Sequence, residues 1–264
     1  MVERVGGTPV IELKTPAELE TMRAAGRVVA ETLAAVHSRA EAGTSLRELD
    51  ELARSVISDA GAKPSFLNYH PSWAPMPYPG CLCTSVNDAV VHGIPNDYHL
   101  TDGDLLSVDC GASIDGLHGD AAISFVVGTA DPADHELIEC AERALAAGVQ
   151  AAQVGARLGD IAHAIGSIGR TAGYGLMAAY GGHGIGREMH EAPFVPNEGQ
   201  PGRGLRLRPG LVLALEPMFL AGGRDEYRTG DDGWTQRTAD GSRAAHVEHT
   251  VAVTEDGPVV LTRR

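Results

Sequence analysis

Five side chains, widely separated in a chain of 264 residues, are of the types that hold divalent cations: Asp109, Asp120, His183, Glu216 and Glu248. The two aspartates lie in DLLSVDCGASIDGLHGDAAISFVVG, residues 104–128, where two alternating segments rich in β-branched residues meet at Asp115-Gly116, a two-residue hairpin signal. With that dipeptide as the loop, Ile114 faces Leu117, Gly111 faces Asp120 and Asp109 faces Ala122. Asp109 and Asp120 then project from one face as diagonal neighbours, their Cβ atoms about 7–8 Å apart. Aspartates at strand ends are commonly just solvated. These two, however, are set among Val, Leu, Ile and Phe, where an unpaired carboxylate pair needs a counter-cation.

His183 lies in GGHGIG, where the flanking glycines let backbone or substrate come close, and no dinucleotide fingerprint can be read through it. Glu216 ends the apolar run LVLAL, on a strand expected to be buried. Glu248 sits in a strand that continues through Val251 and Val253. A single buried carboxylate is an oddity, whereas four with a histidine are a set whose charge two divalent cations neutralise. Carboxylates plus imidazole, with no thiolate, suit Mn²⁺, Fe²⁺, Co²⁺ or Zn²⁺ with open water positions rather than a closed structural zinc site. Two such ions about 3.5–4 Å apart can share a water and make it a nucleophile near neutral pH, so the chemistry is metal-assisted hydrolysis. His92 in VHGIP and His190 in HEAP stand near these residues and could donate to a leaving amide or an oxyanion. Ordinary loop histidines fit the same two positions equally well.

The elements that must position this set follow from local chemistry. Thr15-Pro16-Ala17-Glu18 and Ser45-Leu46-Arg47-Glu48 are capping boxes, each followed by apolar residues at helical spacing, and Gly61 is a stop signal. The Pro-rich stretch NYHPSWAPMPYPG fits a surface loop that borders a pocket as well as it fits a plain linker. A short strand is expected near residues 82–86. Beyond Gly128 two further helices are expected, the first with Leu137, Cys140, Ala141, Leu145 and Val149, the second with Leu158, Ile161, Ile165 and Ile168. Gly43, Leu46, Leu49, Val56 and Gly61 recur 112 positions later as Gly155, Leu158, Ile161, Ile168 and Gly173, which suggests two related α-then-β halves with a site at their junction. The last third is β-rich. One curved antiparallel sheet covered by four outer helices, an α+β fold, accommodates all of this.

Bulk properties narrow the function. The net charge is −14 with no run of Lys or Arg, which disfavours a nucleic-acid grip or an anionic-membrane footprint. No apolar run approaches a membrane span and the N-terminus lacks a signal peptide, so the cytoplasm is expected, with the four cysteines reduced and buried.

Taken in order, SVDCG, HGD, GGHGIGR, HEAP, LEPM and VEHT resemble the type I methionine aminopeptidases over about residues 19–254. That resemblance implies the pita-bread (creatinase/aminopeptidase-like) fold in a single metallo-aminopeptidase domain, residues 1-264, with pseudo-symmetric halves at about 15-128 and 129-255. It implies removal of the initiator methionine from nascent chains when the next residue is small; a monomer in transient association with the ribosome is expected. Carried onto this chain, it makes Asp109, Asp120, His183, Glu216 and Glu248 ligands of two divalent metal ions, with Glu216 also the proton acceptor. His92 would contact the substrate backbone, His190 the carbonyl oxygen, and Tyr69, Tyr78, Cys83 and Trp234 the methionine side chain. Met189 stands where the family usually has an aromatic residue, and the loop between Tyr69 and Cys83 is long for the family, so both bear on the shape of the pocket. Proline-specific aminopeptidases and dipeptidases use a similar ligand set but usually carry a large extra N-terminal domain. A catalytically dead relative would be expected to lack ligands that are all present here.

Overall fold

The computed structural model describes residues 11–264. Helix α1 (Pro16–Arg39) starts where the Thr15 hydroxyl accepts from the Glu18 amide and the Glu18 carboxylate accepts from the Thr15 amide. Helix α2 (Leu46–Asp59) starts with the same reciprocal pair at Ser45 and Glu48, and the chain leaves it through Gly61 at φ +70°. Five strands follow: β1 (Lys63–Pro64), β2 (Leu82–Val86), β3 (Ala89–Val91), β4 (Leu105–Ile114) and β5 (Leu117–Val126). Asp115 and Gly116 join β4 to β5 with φ of 50° and 76°, both left-handed as a type I′ turn requires. The register is the one the dipeptide dictates, with Ile114 opposite Leu117, Gly111 opposite Asp120 and Asp109 opposite Ala122.

Helices α3 (Pro132–Ala151) and α4 (Leu158–Thr171) come next. Ten strands complete the chain: β6 (Gly175–Leu176), β7 (Gly181–Gly184), β8 (Glu191–Pro196), β9 (Val212–Leu215), β10 (Met218–Leu220), β11 (Tyr227–Thr229), β12 (Gln236–Thr238), β13 (Ala244–His246), β14 (Glu248–Thr254) and β15 (Gly257–Val260). The main sheet is antiparallel and nine-stranded, in the order β1-β4-β5-β14-β9-β7-β8, with β2 paired to β4 and β15 to β14. Two three-stranded sheets, β13-β10-β6 and β11-β12-β3, supplement the single sheet expected from sequence. The sheet β13-β10-β6 arises where a long ribbon breaks. Pro217 has no amide hydrogen for the ladder, so β9 and β10 separate at Glu216-Pro217, and the neighbouring ribbon breaks at Val247. Glu216 therefore lies in a strand break and not on a strand, contrary to the sequence expectation.

The apolar faces of the helices pack on the sheet. Val28, Val29 and Leu33 of α1 and Leu49, Ala53 and Ile57 of α2 join Leu106, Val108 and Cys110 of β4 in one cluster. Leu137, Ala141 and Leu145 of α3 and Ile161 and Ile165 of α4 join Leu213, Leu215 and Val251 in another. A third link ties α1 to the end of the chain: a Cβ on Gly26 would stand 2.3 Å from the Leu261 carbonyl oxygen, so only glycine allows this approach. All four cysteines are free and buried.

Candidate metal centre

Strand register collects the predicted residues on one face. Asp109 pairs with Ala122, and Ala122 pairs with Glu248, a line across β4, β5 and β14. Asp120, two residues from Ala122, shares that face. Its amide donates to the Thr250 hydroxyl at 2.9 Å, and that hydroxyl donates to the Asp120 carbonyl at 2.8 Å, which fixes the aspartate against β14. On the other side His183 pairs with Ala214 and Ala214 with Thr250. The β9–β14 register, continued past Leu215–His249, sets Glu216 opposite Glu248.

The glycines around His183 serve the backbone. A Cβ on Gly182 would lie 2.1 Å from the Ala214 carbonyl oxygen, and one on Gly184 2.3 Å from that of Ala192, so they allow adjacent strands to close on β7. His183 Nδ1 donates to the Gly184 carbonyl at 2.8 Å, which leaves the Nε2 lone pair facing the carboxylates. That Nε2 stands 3.7 Å from Glu216 Oε1 and 3.9 Å from Asp120 Oδ2.

These carboxylates are starved of donors. Asp109 Oδ1, Asp120 Oδ1 and Glu248 Oε1 are buried with no hydrogen-bond partner among the described residues. Burial, reinforced by neighbouring carboxylates, holds Asp120 and Glu248 well above the usual carboxylate range. Burial also pushes Asp109 and Glu216 up to about 7. Two overlapping trios, Asp120–His183–Glu248 and Glu216–His246–Glu248, each bring three donor atoms within 4.8 Å of one another. Unpartnered carboxyl oxygens that give up their protons to a cation, beside an imidazole with its tautomer fixed, are what a divalent ion needs, so the residues fit the ions implied by the donor set.

The centre opens into a cavity of about 310 Å³. Its lining includes His92, Asp109, Asp120, His183, His190, Glu216 and Glu248, together with Tyr69, Tyr78, Cys83 and Trp234. Every site residue proposed from sequence thus meets in one place. His92 adopts φ 60°, and the next residue can only be glycine, because a Cβ on Gly93 would lie 2.1 Å from the Thr84 carbonyl oxygen. Burial lowers His92 to about 4 and His190 well below the ordinary histidine value, so both are neutral at pH 7. The His190 ring lies between Tyr69, stacked at 5.0 Å, and His183, at 4.2 Å.

The apolar part of the cavity has fixed walls. Tyr78 turns its ring edge-on to Trp234 at 5.0 Å, and its hydroxyl reaches the Leu82 and Gly93 carbonyls at 2.9 and 2.8 Å. Met189 packs behind this wall with Phe66, Tyr78, Cys83 and Trp234, and does not itself line the cavity. The Pro-rich loop borders the pocket and is not a plain linker. Its stem is closed by paired amide–carbonyl bonds between Asn68–Tyr69 and Tyr78, and Trp234 Nε1 donates to the Met76 carbonyl at 3.0 Å. At its tip Trp73 stacks on His92 at 6.1 Å and meets Trp234 edge-on at 4.9 Å. Trp73, Phe66, Tyr180 and Phe194 all line the cavity, yet sequence reasoning missed them. Nothing in the local spacing of isolated aromatic residues marks them. His246 was also missed, although its position two before Glu248 was a usable sign.

A curled antiparallel sheet under four helices, with an anionic cup on its inner face, defines the pita-bread metallopeptidases. Residues 20–255 match the metallopeptidase family M24, and the chain belongs to that family. Methionine aminopeptidase 1 of Mycobacterium tuberculosis (strain CDC 1551 / Oshkosh) is 53% identical over 266 residues, covering 98% of this chain and 97% of the relative. Methionine aminopeptidase 1 of Bacillus subtilis (strain 168) is 44% identical, over 96% of this chain and 100% of its own length. The crystal structure of methionine aminopeptidase from Thermotoga maritima superposes with a TM-score of 0.92 at 39% identity, covering 97% and 100% of the two chains. The prolidase from Pyrococcus furiosus, at 22% identity and a TM-score of 0.77, shares the fold.

Proposed function

We propose that this chain is a methionyl aminopeptidase that removes the N-terminal methionine of nascent polypeptides when the second residue is small. The observation that carries the reading is the single cavity in which the donor-starved carboxylates and His183 meet a fixed aromatic pocket. High identity along the whole length of relatives named methionine aminopeptidase supports the choice of substrate. The proline-specific reading has only the shared fold behind it, at 22% identity.

Asp109, Asp120, His183, Glu216 and Glu248 would hold two divalent ions, of Mn, Fe, Co or Zn. When bound, such ions polarise the scissile carbonyl and lower the pKa of water to near neutrality. The chain's own groups do the rest. Glu216, beside His183 in the cup, takes the proton of the attacking water and can deliver it to the leaving amine. His190, neutral and held against Tyr69, donates to the developing oxyanion. His92 fixes the backbone at the scissile amide. Tyr69, Tyr78, Cys83 and Trp234 enclose the methionine side chain and exclude water from it. The preference for a small second residue is carried over from the resemblance to the methionine aminopeptidases.

We further read residues 15–128 and 129–255 as pseudo-symmetric halves of one domain. The paired left-handed glycines Gly43/Gly155 and Gly61/Gly173, each 112 positions apart, support this. A monomer in the cytoplasm, meeting nascent chains with at most transient ribosome contact, fits the acidic balance, and no helix among the described residues is long and apolar enough to cross a membrane. The test is cleavage of Met-Ala-Ser against Ala-Pro peptides, before and after chelation and after single metals are restored. Release of methionine that chelation abolishes and Mn²⁺ or Co²⁺ restores is expected. Preferential cleavage of the Ala-Pro peptide would refute the assignment.

A further inference from the structure

His246 ends β13, two residues before Glu248, and is 1% exposed. Its Nε2 has no hydrogen-bond partner among the described residues, a costly state for a buried ring nitrogen. Yet that atom points at two carboxylates, 3.6 Å from Glu216 Oε2 and 3.7 Å from Glu248 Oε2. Both distances exceed a hydrogen bond. They are close to the spacing of two donors on one ion, since ligands about 2.1 Å from a metal stand about 3.4 Å apart across a tetrahedral angle. The same spacing recurs at His183, whose Nε2 is 3.7 Å from Glu216 Oε1. Glu216 therefore turns one oxygen to each histidine, and His183 and His246 flank it. Each imidazole also belongs to a trio of mutually close donors that includes Glu248.

We propose that His246 is a sixth donor of the metal centre, so that the two imidazoles share Glu216 between them. This rests on the metal-centre reading and deepens it. A second imidazole adds a neutral donor to a cup of four carboxylates, which raises affinity for ions that favour nitrogen, such as Co²⁺ and Zn²⁺, over Mg²⁺ or Ca²⁺. It also gives the orphaned Nε2 a partner without another hydrogen.

The test loads the metal-free protein with Co²⁺ and counts the strongly shifted, exchangeable imidazole N–H resonances, since each cobalt-bound histidine contributes one. Two are expected in the wild type and one in His246→Gln, a variant that keeps a hydrogen-bond donor of similar reach but a poor ligand. Calorimetric titration should show Co²⁺ affinity at one position weakened by at least ~10–100-fold, the loss that removing even an outer partner of a metal ligand causes. The metal-free unfolding midpoints of the two proteins separate this loss from misfolding. A single shifted resonance in the wild type overturns the proposal whatever the affinity of the variant, and leaves His246 as a hydrogen-bonding neighbour of Glu216. Failure of the wild type to bind any Co²⁺ would instead remove the metal centre, and this inference with it.

Discussion

At the scale of single residues, the centre gathers carboxyl groups whose charge is relieved by bound cations or, without them, by protons. Asp109→Asn removes one of the four carboxylate charges, so metal uptake and peptide cleavage should fall together; unchanged metal affinity in a titration would count against Asp109 as a ligand. His190→Ala should keep its metal and lower kcat by about 10²–10³-fold, the scale of losing one oxyanion donor. Loss of metal from that variant would make His190 a ligand instead. The raised carboxylates also fix the sign of a pH effect. In the metal-free protein Asp109 and Glu216 titrate near 7, whereas the unfolded chain releases those protons near pH 4. The folded state thus binds more protons between these values, so metal-free stability is highest below about pH 4 from these groups and falls as the pH rises to about 7. Metal competes with the same protons, so the gain in melting temperature on adding Mn²⁺ should grow over that range. Buried neutral histidines such as His92 and His190 act in the opposite sense over this range, so the check is a difference: the metal-free midpoint of Glu216→Gln should rise relative to that of the wild type from pH 4.5 to 7, and a constant difference would contradict the burial of this carboxyl.

At the scale of elements, what was legible in the sequence was what local chemistry determines. The capping boxes at Thr15 and Ser45 and the Asp115-Gly116 turn state their own conformation, and the turn alone fixed which residues oppose Asp109 and Asp120. Less legible was whatever depends on distant partners. Glu216 follows an apolar run and so read as strand, but the following proline ends the ladder and frees its side chain from strict alternation. The Pro-rich loop read equally as pocket border and as linker, because its place depends on Trp234, 158 residues from the Met76 carbonyl it holds. That loop carries a prediction of its own. Trp73→Ala removes the aromatic cover over His92 and Trp234, and should raise KM for Met-Ala-Ser about 2–10-fold with little change in kcat, as expected for lost aromatic contact. A fall in kcat with KM unchanged would place Trp73 in the chemistry and not at the pocket wall.

At the scale of the whole molecule, helix α1 touches β4, β5 and the segment around Leu261 at once, which ties stretches far apart in sequence. Gly26→Ala would force a methyl group onto the Leu261 carbonyl and should cost ~1–3 kcal/mol in denaturant unfolding. An unchanged midpoint would show that the segment yields freely. This closure, like the convergence of ligands, is a property of the complete topology, which is why neither could be read from any one stretch of sequence.

The pairing of Glu248 with Ala122 has a temporal consequence. Two of the proposed ligands are synthesised by residue 120, but Glu248, which completes their row, follows 128 residues later. That row can therefore close around an ion only after the whole intervening segment has been made, and until then the acidic hairpin lacks its third strand.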